Sequence, residues 1–150
     1  MTLSNKDWML IAIEEALKAK SLNEVPVGAV VILENQVIGR GHNSVIKNNS
    51  IAAHAELNAI NEASKTLNNY RLLNCDLYIT LEPCHMCAKA IVDARIKHVY
   101  FAASEPKTGS IISVDNFFDK SFLNHKVNYS SGLMQKESSK LLKDFFLERR

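Results

Sequence analysis

Disulfides, a strong charge of either sign and long apolar runs are all missing from this sequence of 150 residues. Cysteine occurs three times, an odd number, and two of the three share a single C-x-x-C. That excludes a disulfide framework and points to a reducing compartment. No apolar run approaches the ~20 residues needed to span a bilayer. The opening Met1-Thr2-Leu3-Ser4-Asn5-Lys6-Asp7 lacks the basic and apolar regions of a secretory leader, so the expected location is cytoplasmic. Formal net charge is only +2, too little to argue for a nucleic-acid partner by itself. The basic residues Lys136, Lys140, Lys143, Arg149 and Arg150 crowd the C-terminal end, which reads first as a solvated helix face with favourable end charges. No internal repeat, low-complexity tract or linker divides the chain, and 47% apolar with 23% charged residues is an ordinary globular balance. One domain, residues 1–150, is expected.

Along the chain, Ser4 with Asp7 three residues on forms a capping-box pattern for a first helix. Trp8, Ala12, Ala16 and Ala19 continue that helix, which ends in Ser21 to Glu24. Ala29 to Leu33 is apolar throughout, as in a strand buried on both faces. After a tight connection at Glu34-Asn35-Gln36, Val37 to His42 returns as a second strand. Its Gly39 and Gly41 predict a bulge or a close backbone approach. Ser44 to Ala52 reads as a loop, and a helix from His54 runs to about Leu67. Leu77 to Leu81 is the third strand, followed by a helix through Ala94 and a fourth strand, His98 to Ala102. Ser104 to Ser113 has the length of a functional loop. A short fifth strand at Val127 to Tyr129 and a helix from Met134 to Glu148 close the order. Helices alternating with apolar strands predict an α/β protein with one sheet covered on both faces.

Two stretches carry the chemistry, His54-Ala55-Glu56 and Pro83-Cys84-His85-Met86-Cys87. With Pro83 at the first helical position, Cys84 and Cys87 lie three apart on one turn, where both sulfurs reach one ion. His54 adds a nitrogen from a second helix start. Structural zinc takes four ligands, whereas three leave a position for water, the pattern of catalytic zinc. Two thiolates already neutralise the ion, so a nearby carboxylate must help take the proton, and Glu56 is the candidate. On an ideal helix residues two apart lie ~200° apart, which suits Glu56 as a base beside a ligand rather than as a ligand.

H-x-E followed by P-C-x-x-C is the signature of the zinc-dependent nucleobase deaminases. Beyond it, the chain resembles the bacterial tRNA-specific adenosine deaminases over nearly its full length. The matching runs are Glu24-Val25-Pro26-Val27-Gly28-Ala29-Val30, Ala53-His54-Ala55-Glu56, Asn69-Tyr70-Arg71-Leu72 and Leu77-Tyr78-Ile79-Thr80-Leu81-Glu82-Pro83-Cys84. Lys107-Thr108-Gly109, Asn124-His125 and Asp144-Phe145-Phe146 continue the match. The resemblance implies a three-layer α/β/α, cytidine-deaminase-like fold on a central five-stranded mixed sheet. It also implies a homodimer, with a single Zn2+ per subunit held by His54, Cys84 and Cys87. The implied substrate is the wobble adenosine of a tRNA anticodon loop, an arginine tRNA first among them, converted to inosine. Glu56 would be the proton shuttle. Asn43 would hydrogen-bond the unstacked base by donating and accepting, and Val27 would wall its pocket. Ala55, Glu105, Lys107 and Phe145 complete the implied substrate contacts. Where the family has an aspartate ahead of Lys-Thr-Gly, this chain has Glu105, whose longer arm shifts a ribose contact. The loop Ile46 to Ile51 matches only loosely.

Other readings of the same residues stay open on sequence. Guanine or cytosine deaminases of free bases, nucleosides or nucleotides share the signature, and a non-catalytic zinc or RNA-binding module needs only the ligands. Cys75 reads as a buried inert thiol. His42, His85, His98 and His125 read as structural or exposed, and Phe145 and Phe146 as core anchors before base stackers. Arg149 and Arg150 read as helix-end charges or as phosphate contacts.

Overall fold

The computed structural model describes residues 3–149, so Arg150 and the first two residues of the opening segment lie outside the described part. The elements run α1 (Asn5–Ser21), β1 (Gly28–Leu33), β2 (Gln36–His42), α2 (Val45–Asn48), α3 (Ala55–Leu67), β3 (Asp76–Leu81), α4 (His85–Asp93), β4 (His98–Ala103), β5 (Asn128–Ser131) and α5 (Gln135–Leu147). The five strands form one sheet in the order β2-β1-β3-β4-β5. β1 is antiparallel to both β2 and β3, while β3, β4 and β5 run parallel, so the sheet is mixed as expected.

Strand alternation sorts the core into two layers. Val30, Ile32, Tyr78 and Ala102 face α1, where they meet Trp8, Met9 and Ala12. Ala29, Val31, Leu77, Ile79, Val99 and Phe101 face the other way, against Ala59, Ile60 and Ala63 of α3 and Ile91 and Val92 of α4. Each fully buried large aliphatic, such as Leu77 or Ile79, contributes roughly 1.5–3 kcal/mol. The reciprocal cap of α1 is formed: Ser4 Oγ accepts from Asp7 N at 3.2 Å, and Asp7 Oδ2 accepts from Ser4 N at 2.9 Å. No helix among the described residues is long and apolar enough to cross a membrane.

Both expected roles of the β2 glycines occur. Val31 pairs with Gly39 and Ile32 with Val37, leaving Ile38 as the extra residue of a bulge. A Cβ on Gly41 would collide with the Ala55 carbonyl oxygen and the Ala59 nitrogen of α3. Gly41→Ala is therefore expected to destabilise by about 1–3 kcal/mol or more, read as a lower denaturation midpoint.

Several boundaries differ from expectation. The segment read as a loop contains the short helix α2, because Glu24 accepts from the Ile46 and Lys47 nitrogens and satisfies its first turn. A single 3-10 turn at Phe117–Asp119 buries Phe118 in a stretch with no periodic signal. β5 lies further along than Val127 to Tyr129, since its ladder with β4 reaches Ser130 and Ser131, polar residues that carry no strand signal of their own. Pro83 is not the first helical residue. Cys84 is the N-cap in extended conformation and His85 begins α4, because Pro83 favours extended geometry and Ser110 binds its carbonyl.

Topology gathers the functional segments on one rim. β2 and β3 are both antiparallel to β1, so they point the same way, and β4 is parallel to β3. The ends of β2, β3 and β4 and the start of β1 therefore share an edge. Asn43, Cys84, the Ser104–Ser113 loop and Val27 all emerge there, at the end of parallel strands where α/β sheets build sites.

Candidate metal and active site

On that rim lies a cavity of about 420 Å³ lined by residues of six segments, among them Val27, Asn43, His54, Glu56 and Cys84. His54 is the N-cap of α3, with φ −79° and ψ 152°. Because this backbone is extended, the ~200° separation expected of two helical residues does not apply. His54 and Glu56 both reach the cavity, His54 from the turn and Glu56 from the first turn of the helix. Cys84 holds the equivalent N-cap place on α4, and Cys87 follows within its first turn. Two helix N-termini thus converge, and their partial positive charge favours thiolate.

His54 Nδ1 lies 3.3 Å from Cys87 Sγ and 3.8 Å from Cys84 Sγ. All three ligand atoms fall within 4.8 Å of one another. Ligands on one tetrahedral zinc stand roughly 3.5–3.8 Å apart, given metal bonds of about 2.0–2.3 Å. Two sulfurs and one imidazole nitrogen at this spacing fit a zinc-type ion. The thiols titrate as a pair: the hydrogen bond from Cys87, with help from His54, drops Cys84 to about 3, while Cys87 is pushed up by the same bond and by burial. The hydrogen bond to Cys84 raises His54.

Glu56 is buried at 4% exposure, and desolvation raises its carboxyl above the usual glutamate range. A buried carboxyl poised to hold a proton beside a metal-binding triad is an arrangement for acid–base chemistry.

Of the substrate contacts implied by resemblance, the structure brings Asn43, Val27 and Phe145 to the cavity wall. Asn43 Oδ1 accepts from the Ala55 nitrogen at 2.8 Å, which orients the amide on the cavity wall. Ala55 is fully buried and serves through that backbone nitrogen rather than from the wall. Glu105 and Lys107 do not line the cavity, and Thr108 of the same loop does. Glu105 instead lies beside Leu142 and Phe146 in a neighbouring groove and accepts from Lys107 N at 3.0 Å. Phe145 is buried, and the Arg149 guanidinium stacks on its ring at 3.4 Å while also donating to Asn23 Oδ1. Phe146 is half exposed and turned away into the groove. Lys136, Lys140 and Lys143 sit on the exposed side of α5.

Cys75 is buried and its thiol is pushed up to about 11 by desolvation, so it is inert. His42 faces Glu15 at 3.3 Å, His85 faces Asp115 at 3.0 Å, and His98 faces Ser130 Oγ at 2.9 Å. His125 Nε2 donates to the Ile96 carbonyl at 2.8 Å. All four have structural partners.

Two buried acids of the cavity wall went unassigned on sequence. Glu24 anchors α2 and lines the cavity, and Glu82 holds the 105–113 loop beside it. The available signal was an acid inside an otherwise apolar run at a strand end, which demands buried donors. Glu82 accepts from the backbone of Glu105 at 3.0 Å, Ile111 at 2.9 Å, Ile112 at 2.8 Å and Ser113 at 3.1 Å. Burial alone would raise its carboxyl, but the Ser113 hydroxyl and these amides outweigh burial and hold it below its ordinary value. Its contribution to stability is complete above the unfolded-state value of 4.5 and is lost as pH falls through the lower folded value. Glu82→Gln is therefore expected to cost roughly 2–3 kcal/mol at neutral pH, where its amide group faces donors instead of accepting them. The gap between variant and wild type should narrow in denaturation series taken below about pH 4.

Comparison with known proteins agrees with this geometry. Residues 3–150 match the MafB19-like deaminase family. The chain is 47% identical to the tRNA-specific adenosine deaminase of Haemophilus influenzae, over 97% of this chain and 85% of that one. It is 41% identical to the tRNA-specific adenosine deaminase of Buchnera aphidicola, over 98% of each. A solved structure from work on A-to-I editing by tRNA:A34 deaminases at the wobble position superposes with a TM-score of 0.89, at 41% identity, over 92% of this chain and 100% of that one. The guanine deaminase of Bacillus subtilis is more distant, with a TM-score of 0.66 at 29% identity, over 98% of this chain and 94% of that one. A thiolate–imidazole triad beside a buried glutamate, in a chain this close to named relatives, places the protein in the family of tRNA-specific adenosine deaminases.

Proposed function

We propose that the protein converts the wobble adenosine of a tRNA anticodon to inosine by hydrolysis, releasing ammonia. The observation that carries this reading is the buried Glu56 carboxyl in the same cavity as His54 and Cys84, whose ligand atoms group with the buried Cys87 sulfur. Zinc held by those three residues would supply an activated water as nucleophile. Glu56 accepts a proton from that nucleophile on a carboxylate oxygen. It delivers that proton to the ring nitrogen beside C6, then takes the second proton of the water, from the hydroxyl now on C6, and passes it to the departing amine. Its burial suits the task, because a raised pKa makes the carboxylate a stronger base toward the nucleophile's proton and moves the group toward the operating pH, where it can both take and return a proton. The Asn43 amide donates to an acceptor on the base edge, and Val27 packs against the ring. Water plus adenosine gives inosine plus ammonia, so atoms balance with no further reactant.

The cavity mouth supports a base presented by a polymer. It opens between α2 and the end of α5, beside Ile46 and Arg149, where exposed apolar and cationic groups can meet the flanking nucleotides. A tRNA substrate supports a cytoplasmic site of action. A homodimer is supported by the exposed rings of Tyr70 and Phe122 on one groove with Arg71 and Arg95, an apolar and basic surface that a second copy would cover. Light scattering on the purified protein should return twice the chain mass.

The deaminases of free bases share this chemistry, so the test compares substrates. Purified protein is incubated with an arginine-tRNA anticodon stem-loop carrying a wobble adenosine, and separately with free adenosine, cytidine and guanine. Inosine in the stem-loop alone, by mass spectrometry, is the expected result. Turnover of a free base with none of the stem-loop would replace the tRNA reading with the free-base one.

A further inference from the structure

Asn58 lies on α3, two residues beyond Glu56, and points back toward the end of β2. Its Nδ2 donates to the His42 carbonyl at 2.8 Å and to Ser44 Oγ at 3.1 Å. These are the residues immediately before and after Asn43. Asn48 of α2 donates to the same Ser44 hydroxyl at 2.9 Å, so Ser44 joins α2 to α3. Asn43 is fixed by its own groups as well, through its nitrogen to the Val27 carbonyl at 3.1 Å and its Oδ1 to Ala55 N at 2.8 Å. The close approach that Gly41 permits brings β2 near enough for so short a side chain to reach, since a Cβ there would meet Asn58 Cβ as well as the helix backbone.

We propose that Asn58 is a positioning residue for the deamination: by tying both neighbours of Asn43 to α3, it sets the Asn43 amide in register with Glu56. The inference rests on the adenosine reading given above. One helix then carries the proton carrier and, through Asn58, the aim of the base contact. A misplacement of the base by a fraction of an ångström matters, because proton delivery and attack both require near-contact geometry. Affinity for RNA is expected to depend far less on this tie, since phosphate contacts dominate binding. Asn58 itself touches no ligand position, so its effect must pass through Asn43.

The test is a cycle of Asn58→Asp, Asn43→Ala and the double variant, with kcat and KM measured on the wobble-adenosine stem-loop. Asn58→Asp keeps the shape of the side chain and removes the donor, turning a hydrogen bond into an oxygen–oxygen contact. The expected result is a fall in kcat of at least about tenfold, with KM changed less than about twofold and zinc content unchanged. In the Asn43→Ala background the same substitution should cost almost nothing further. Asn58→Gln, which restores the donor on a longer arm, should recover part of the loss. Equal fractional losses in both backgrounds, or loss of zinc with Asn58→Asp, would overturn the positioning role and leave the activity reading intact. Failure of the wild-type protein to form inosine in the stem-loop would overturn both.

Discussion

Glu56→Gln is expected to stop turnover while the protein stays folded and loaded with zinc. The substitution changes almost no volume and keeps a polar group where the carboxyl sat. What it removes is the ability to take and return a proton, at a position on the wall of the cavity that His54 and Cys84 also line. General acid–base groups contribute about 10²–10⁴ in rate, and in the proposed mechanism one residue serves several transfers, so the loss should lie at the upper end or beyond. Stability should hold or rise slightly. Burial opposes the charged form of Glu56, and replacing a strained ionisable group at an active site commonly relieves that cost. Inosine formation over hours, zinc by elemental analysis and a thermal midpoint check the three statements together. Activity within tenfold of wild type would remove Glu56 from the chemistry. Zinc loss would make it a ligand.

Cys87→Ala carries the second large effect, and it is of a different kind. Cys87 is fully buried in the first turn of α4, with its sulfur 3.3 Å from His54 Nδ1. Removing it leaves two ligands, too few to hold the ion against dilution, so zinc content and turnover should both fall to background. Stability should fall as well, because an ion that binds only the folded state adds to its stability. Stripping the wild type with a chelator should reproduce that lower midpoint and be reversed by added zinc. Cys75→Ala is the control. That thiol is buried away from the site, and its loss should leave zinc in place. A Cys87→Ala protein that keeps stoichiometric zinc would mean that the triad does not hold the metal.

The contrast between these substitutions explains why so much of the site was legible before any coordinates. Ligand chemistry is local: two cysteines three apart near a helix start, and a histidine at another, leave little freedom in what they can bind. One central sheet covered on both faces was legible for a related reason, since apolar strands alternating with helices admit few packings, while its mixed strand directions were implied by the resemblance alone. Pro83 and His54 show where local rules misled. Each was assigned helical geometry, and each lies just outside its helix in extended conformation. That extended turn is what lets His54 and Glu56 share a cavity. Glu24, Glu82 and Asn58 were not legible as positioning groups, because their partners are backbone amides and a carbonyl at least 16 residues distant in sequence. Glu105 and Lys107 were carried over by position in a run, and the loop turns Thr108 toward the cavity instead.

The central claim is that this chain edits one adenosine in RNA. The most direct measurement is to incubate total tRNA that lacks inosine with the protein and sequence it for adenosine-to-inosine changes at every position. The account predicts change confined to the first anticodon position of tRNAs with adenosine there, and none with Glu56→Gln. Unchanged tRNA, alongside release of ammonia from free guanine or cytosine, would contradict it.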